Sequence, residues 1–120
     1  MRLEGEQELL RVFIGEQDKW EGLPLYEAIV KEARRRGMAG ATVIKAFMGF
    51  GGKSNLHTAN ILRLSEDLPI VVEIVDTKEK VAALLPKLDE MVSEGLITLE
   101  KVHVIMYRSG DAKAKNAKAG

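Results

Sequence analysis

The stretch most suggestive of chemistry in this chain is "MGFGGKSNLHTA" at 48–59, where three glycines stand close to a lysine, a serine and a histidine. Gly49, Gly51 and Gly52 would let a ligand approach the backbone closely, and Lys53 could meet a phosphate. The run "GGKS" ends like the phosphate-cradling pattern G-x-x-x-x-G-K-[ST], but that pattern needs a glycine where Phe47 stands. Strand-forming sequence flanks the segment, so no helix N-terminus is at hand to hold phosphates. His57, beside Ser54 and Thr58, has the chemistry of a hydrolase base. A triad also needs an orienting carboxylate and an oxyanion hole, and neither is identifiable nearby. His57 therefore reads as a polar loop residue or a phosphate contact. Glu16 and Asp18 could do acid–base work, or be ordinary turn residues. Trp20, the single tryptophan, could stack on a base or pack against the first helix. His103 alternates into a strand and reads as structural.

The elements that must position these residues belong to an ordinary globular chain. Its 120 residues are 46% hydrophobic and 30% charged, enough for one domain with one modest core. Eighteen basic residues balance eighteen acidic ones, so the broad positive footprint that drives nucleic-acid binding is missing. Aromatic content is 5%, and "KAFMGFGG" carries the letters of an RNA-recognition motif in the wrong order, so no nucleic-acid partner is expected. The absence of cysteine removes disulfides, thiolate zinc sites and thiol nucleophiles. Two histidines leave little for a nitrogen-rich metal site, and no metal is expected. No apolar run approaches the roughly 18 residues of a membrane span. The start "MRLEGEQELL" is too acidic for a secretion signal, so the sequence reads as cytoplasmic.

Period-two alternation predicts a first strand at 9–14, with Leu10, Val12 and Ile14 on one face and Leu9, Arg11 and Phe13 on the other. Pro24 suits the first position of a helix that carries Leu25, Ile29, Val30 and Ala33 on its apolar side. Arg34, Arg35 and Arg36 suit its C-terminus, and Gly37 stops it. A second strand spans 41–50, and Pro69 opens the β-branched run "PIVVEIVD". Asp76 with Glu79 predicts a capping box for a second helix, which Pro86 should kink or break and Gly95 should end. A last strand at 102–107 completes the order. The tail "SGDAKAKNAKAG" at 109–120 is expected to be disordered outside a single domain of residues 1–108.

This order is β-α-β-β-α-β, a ferredoxin-like α+β sandwich with two helices on one face of an antiparallel sheet. The other face should carry Leu9, Phe13, Val43, Phe47, Val71, Val75, Ile105 and Tyr107, interrupted by Arg11, Lys45, Glu73 and His103. A half-apolar open face of this size predicts burial against another subunit.

"IGEQDKWEGLPLYEAIV", "GMAGATVIKAFMGFGGKSNLHTA" and "LSEDLPIVVEIVDTKEKV", in this order and spacing, closely resemble an uncharacterised prokaryotic family of PII-like proteins. The resemblance covers residues 7–108. It implies a homotrimer of ferredoxin-like subunits with their sheets facing inward. It also implies an adenine nucleotide (ATP, ADP or AMP) bound between neighbouring subunits, and a sensing loop after the second strand at Gly49–His57. That loop would dock on a partner such as a membrane transporter or ion channel. Under the resemblance Gly49, Gly51 and Gly52 admit the ligand, and Lys53 and His57 neutralise phosphate. Thr42 hydrogen-bonds the base or ribose, and Arg108 reaches a neighbouring subunit's phosphate. No chemistry and no required cofactor are implied. Two departures stand out. "SEGLITLEK" keeps only Gly95 of the glycine-rich basic motif that grips phosphates in well-studied PII proteins, and the loop is short and has no tyrosine to modify. Two other readings start from the residues themselves: a small phosphoester hydrolase or transferase using His57 with Glu16 or Asp18, and a metal-responsive trimer related to divalent-cation tolerance proteins.

Overall fold

A computed structural model describes residues 3–50 and 67–110, together with the backbone of residues 57–58. In chain order its elements are β1 (Gly5–Gly15), β2 (Lys19–Trp20), β3 (Leu23–Pro24), α1 (Leu25–Arg35), β4 (Thr42–Lys45) and β5 (Met48–Gly49), then β6 (His57–Thr58), β7 (Pro69–Asp76), α2 (Lys78–Met91) and β8 (Leu96–Val104). Strands β4, β7, β1 and β8 form one antiparallel sheet in that order. Setting aside the two small hairpins β2–β3 and β5–β6, this is the expected βαββαβ arrangement. Of the tail expected at 109–120, residues 111–120 lie outside the described residues.

The core forms where alternate residues of the two central strands meet the apolar sides of both helices. Leu10, Val12 and Ile14 of β1 and Ile70, Val72 and Ile74 of β7 are buried. They pack in one cluster with Leu25, Ile29 and Ala33 of α1 and Val81, Leu84, Leu88 and Met91 of α2. Register explains the match: Leu10 stands opposite Ile74, Val12 opposite Val72 and Ile14 opposite Ile70, so the two strands present one continuous apolar face. β1 extends well past the predicted 9–14 because it is paired along its length with β8, from Gly5 opposite Val104 to Phe13 opposite Leu96.

Several boundaries differ from the sequence reading. Pro24 precedes α1 rather than entering it, and lies in the β2–β3 hairpin. The predicted strand 41–50 is two pieces: β4 stops at Lys45, the Ala46 amide donates to the Pro69 carbonyl, and β5 turns away to pair with β6. Helix α2 runs through Pro86 without a break. Its cap is Thr77, whose hydroxyl accepts from the Lys80 amide at 3.2 Å. Asp76 does something else. Fully buried, it accepts from the Thr77 amide at 2.7 Å and the Ala39 amide at 2.8 Å, and so ties the start of α2 to the α1–β4 connection. α2 ends at Met91, ahead of Gly95.

Both edge strands also have the opposite phase to the one predicted. Thr42 and Ile44 stand opposite Glu73 and Val71, so they lie on the open face, while Val43 and Lys45 lie on the helix side. In β8, which starts at Leu96 rather than 102, His103 stands opposite Glu6 and also lies on the helix side. The open face therefore reads Leu9, Arg11 and Phe13; Thr42 and Ile44; Val71, Glu73 and Val75; and Leu96, Thr98, Glu100, Val102 and Val104. It remains half apolar, as expected. Ile105 and Tyr107 come after the strand has ended.

Candidate functional site

At the centre of the open face Arg11 bridges two strands. Its guanidinium donates to Glu73 at 2.9 Å and to Glu100 at 2.8 Å. Its hydrogen bond to Glu73, supported by the one to Glu100, raises the arginine above its ordinary value. One cation between two carboxylates leaves a net negative charge in the middle of a face that is otherwise aliphatic at its margins.

Toward one end of this face lies a cleft of about 360 Å³. Leu9, Val75 and Val104 supply its apolar floor, beside the Glu73 carboxylate. Ala39, Gly40, Ala41 and Thr42, the connection entering β4, form one wall. Met106 and Tyr107, from the segment following β8, form the other, and Leu3, almost fully buried, closes the end. The walls are fixed by hydrogen bonds. The Tyr107 hydroxyl donates to the Ala39 carbonyl at 3.0 Å, and the Tyr107 amide donates to the Glu4 carboxylate at 3.0 Å. Among the described residues the lining holds the hydroxyls of Thr42 and Tyr107, an acceptor carboxylate and several apolar side chains, but neither lysine nor arginine. Such a cleft suits a flat, largely apolar ring whose polar edge meets Thr42 or Glu73, and phosphates would need cations from outside it.

The residues singled out from sequence are distributed unevenly around this cleft. Thr42 lines it. Arg108 follows Tyr107 directly and is exposed beside it. Gly49 lies in the small β5–β6 sheet, opposite His57, so those two are backbone neighbours. The close approach at Gly49 is to protein: a Cβ there would sit 2.8 Å from Pro69 Cγ. Gly51, Gly52 and Lys53 lie outside the described residues, as does the side chain of His57. Gly95, the remnant of the phosphate-gripping motif, likewise has a packing reason, since a Cβ there would come within 2.6 Å of the Phe13 carbonyl oxygen.

The other candidates hold structural partners. Glu16 pairs with Lys45 at 2.8 Å, and Asp18 accepts from the Gly15 amide at 3.0 Å, closing the turn after β1. Trp20 packs against the core with the Lys87 ammonium 5.5 Å from its ring centre. Among the described residues no group of three or more His, Cys, Asp and Glu is placed to hold a metal ion, and no helix is long and apolar enough to cross a membrane.

Sequence reasoning missed Glu73, Leu3, Met106 and Tyr107 as parts of one site. Glu73 carried a signal, a carboxylate set in a β-branched run; Leu3 offered only a lone apolar residue in an acidic stretch.

Comparison with known proteins adds four findings. Residues 7–104 match the DUF190 family, described as "Uncharacterized ACR". A UPF0166 protein of Aquifex aeolicus is 39% identical over 100 residues, covering 83% of this chain and 94% of the relative. Among solved structures, CPII of Thiomonas intermedia K12, a nitrogen regulatory PII-like protein bound to ADP, AMP and bicarbonate, superposes with a TM-score of 0.63. Its identity is 17%, over 82% of this chain and 88% of that one. The divalent ion tolerance protein CutA1 of Ehrlichia chaffeensis shares the fold more loosely, with a TM-score of 0.54 and 9% identity over 99% of each chain.

Proposed function

The chain belongs to the DUF190 family and has the fold of PII-like proteins, and from that premise we propose that it is a regulatory protein that binds an adenine nucleotide. The observation that carries this reading is the cleft on the uncovered sheet face. Its floor of Leu9, Val75 and Val104 would take the adenine ring, while the Thr42 hydroxyl and Glu73 carboxylate would read donors and acceptors on the base or ribose. The described lining holds no cation, so the phosphates would extend out of it toward Arg108, and toward Lys53 and His57 of the proposed sensing loop. Neighbouring subunits would supply the remaining contacts. Three open faces meeting about a common axis would bury Phe13, Val71 and Leu96 and complete the cleft, which makes the homotrimer part of the proposal. In keeping with the resemblance, we read the protein as non-enzymatic and cytoplasmic.

Regulation would follow from population shift. The loop between β5 and β6 begins at Gly49, which packs on Pro69 at the start of β7. A ligand that favours one loop conformation changes the affinity for a partner only by its differential affinity for the two conformations. A membrane transporter or ion channel is the proposed partner class. The test is thermal unfolding with and without ATP, ADP, AMP and cyclic AMP. A site filled to a hundredfold above its Kd adds about 2.7 kcal/mol to stability, so at least one nucleotide should raise the midpoint by several degrees. No shift with any of the four at millimolar concentration would contradict the reading.

A further inference from the structure

The connection between α1 and β4 has two sides, and only one of them faces the cleft. Against the other lies a second cavity, of about 290 Å³, lined by Val30, Ala33, Arg34 and Met38 together with the connection Ala39–Ala41. Val30, Ala33 and Arg34 stand three and four residues apart on one face of α1. Val30, Met38 and Ala41 pack against the hydrophobic core, so the apolar part of this cavity is the core's own margin. Arg34 is the charged group among its described lining.

The run of three arginines at the end of α1 is divided in its partners. Arg35 and Arg36 both pair with the Glu32 carboxylate. The Arg34 side chain has no hydrogen-bond or ion-pair partner among the described residues. The nearby carbonyls of Glu32, Ala33 and Arg34 are already occupied, by the amides of Arg36, Met38 and Gly37. An uncommitted guanidinium therefore borders an apolar hollow. Guanidinium binds carboxylate through two parallel N–H donors, and apolar walls favour a ligand whose remainder is hydrocarbon.

We infer that this cavity is an effector site for a small aliphatic monocarboxylate. Arg34 takes the carboxylate, and Val30, Ala33 and Met38 take the carbon chain. A second charge on the ligand would meet no counter-ion in the described lining. The volume is at the bottom of the range of small-molecule sites, which sets a short chain. Binding at Arg34 stands apart from the nucleotide reading. The regulatory role rests on it, because Ala39–Ala41 is the partition between this cavity and the cleft. An acid that shifts this partition changes nucleotide affinity, and nucleotide changes acid affinity by the same factor.

The test is methyl NMR of the full chain titrated with sodium formate, butanoate and hexanoate. The Val30 and Met38 methyl signals should shift, and affinity should rise by up to about fourfold for each methylene buried. Arg34→Gln should weaken butanoate binding about tenfold, whereas Arg35→Gln, whose guanidinium is engaged by Glu32, should leave it unchanged. No shift with any of the three acids at tens of millimolar would overturn the site. Affinity indifferent to chain length, or retained in Arg34→Gln, would do the same. ADP titrated with and without butanoate tests the coupling, and its Kd should change by roughly fivefold or more. An unchanged ADP Kd in a protein that binds both ligands would overturn the regulatory role and leave the site standing. A parent that binds butanoate but no ADP would overturn the nucleotide reading and the coupling together.

Discussion

The two faces of the same four-stranded sheet are built to different rules. On the helix side Leu10, Val12 and Ile14 of β1 and Ile70, Val72 and Ile74 of β7 are aliphatic and buried, packed against α1 and α2. One residue along, the same strands present Leu9, Arg11, Phe13, Val71, Glu73 and Val75, apolar and charged side chains mixed, with an arginine held between two carboxylates. The first face follows from the need to fold, since apolar area removed from water stabilises by about 25 cal/mol per Å². The second would be wasteful on a monomer, where an uncovered sheet face is normally polar. Under the proposed function it is a surface kept for a neighbouring copy over much of its area, and for a ligand in the cleft at its end.

The largest effect should separate the faces directly. Leu84→Ala removes a fully buried side chain from the helix side and should cost about 2–5 kcal/mol in denaturant unfolding. Phe13→Ala on the open face should leave the circular dichroism spectrum of a folded chain with a much smaller loss within the subunit. By light scattering it should shift the assembly from trimer toward monomer. Equal loss of stability with unchanged mass would erase the distinction between the faces.

A smaller effect sharpens the comparison from the far side of α1. Glu32 is held below the ordinary carboxylate value of 4.5, first by the Arg35 hydrogen bond and then by that of Arg36. A carboxylate with a lowered folded-state value contributes stability above its ordinary value and loses it as pH falls through the folded-state value. The stability difference between the parent and Glu32→Gln should therefore be complete at pH 7 and close on acidification below 4.5. Urea midpoints at pH 7 and in acid check this, and neither assembly nor nucleotide response should change at neutral pH.

How far the sequence went depends on where in the sheet one looks. The central strands were legible because a face buried by two helices enforces strict alternation: Leu10, Val12 and Ile14 were assigned correctly, and β7 alternates between half-buried and buried along its length. The edge strands were not. Thr42, Val43, Ile44 and Lys45 are all exposed, so no buried face dictates their phase, and only pairing with β7 decides that Thr42 and Ile44 face outward. The same uncertainty inverted β8 and misplaced His103. The resemblance led to Thr42, which does line the cleft, but Tyr107 joins the site through a hydrogen bond to a residue 68 positions away, a relation no local pattern contains. Gly49 and Gly95 are each required by a neighbouring protein atom, which accounts for them without any ligand.

The central claim is that an adenine ring sits in the cleft of the open face. A crystal structure of the full chain grown with ADP tests it most directly. The account predicts the ring over Leu9 and Val75, its edge at Thr42 or Glu73, and a second copy of the chain completing the site. ADP bound elsewhere, or a cleft closed by the same chain with its open face bare to solvent, would contradict it.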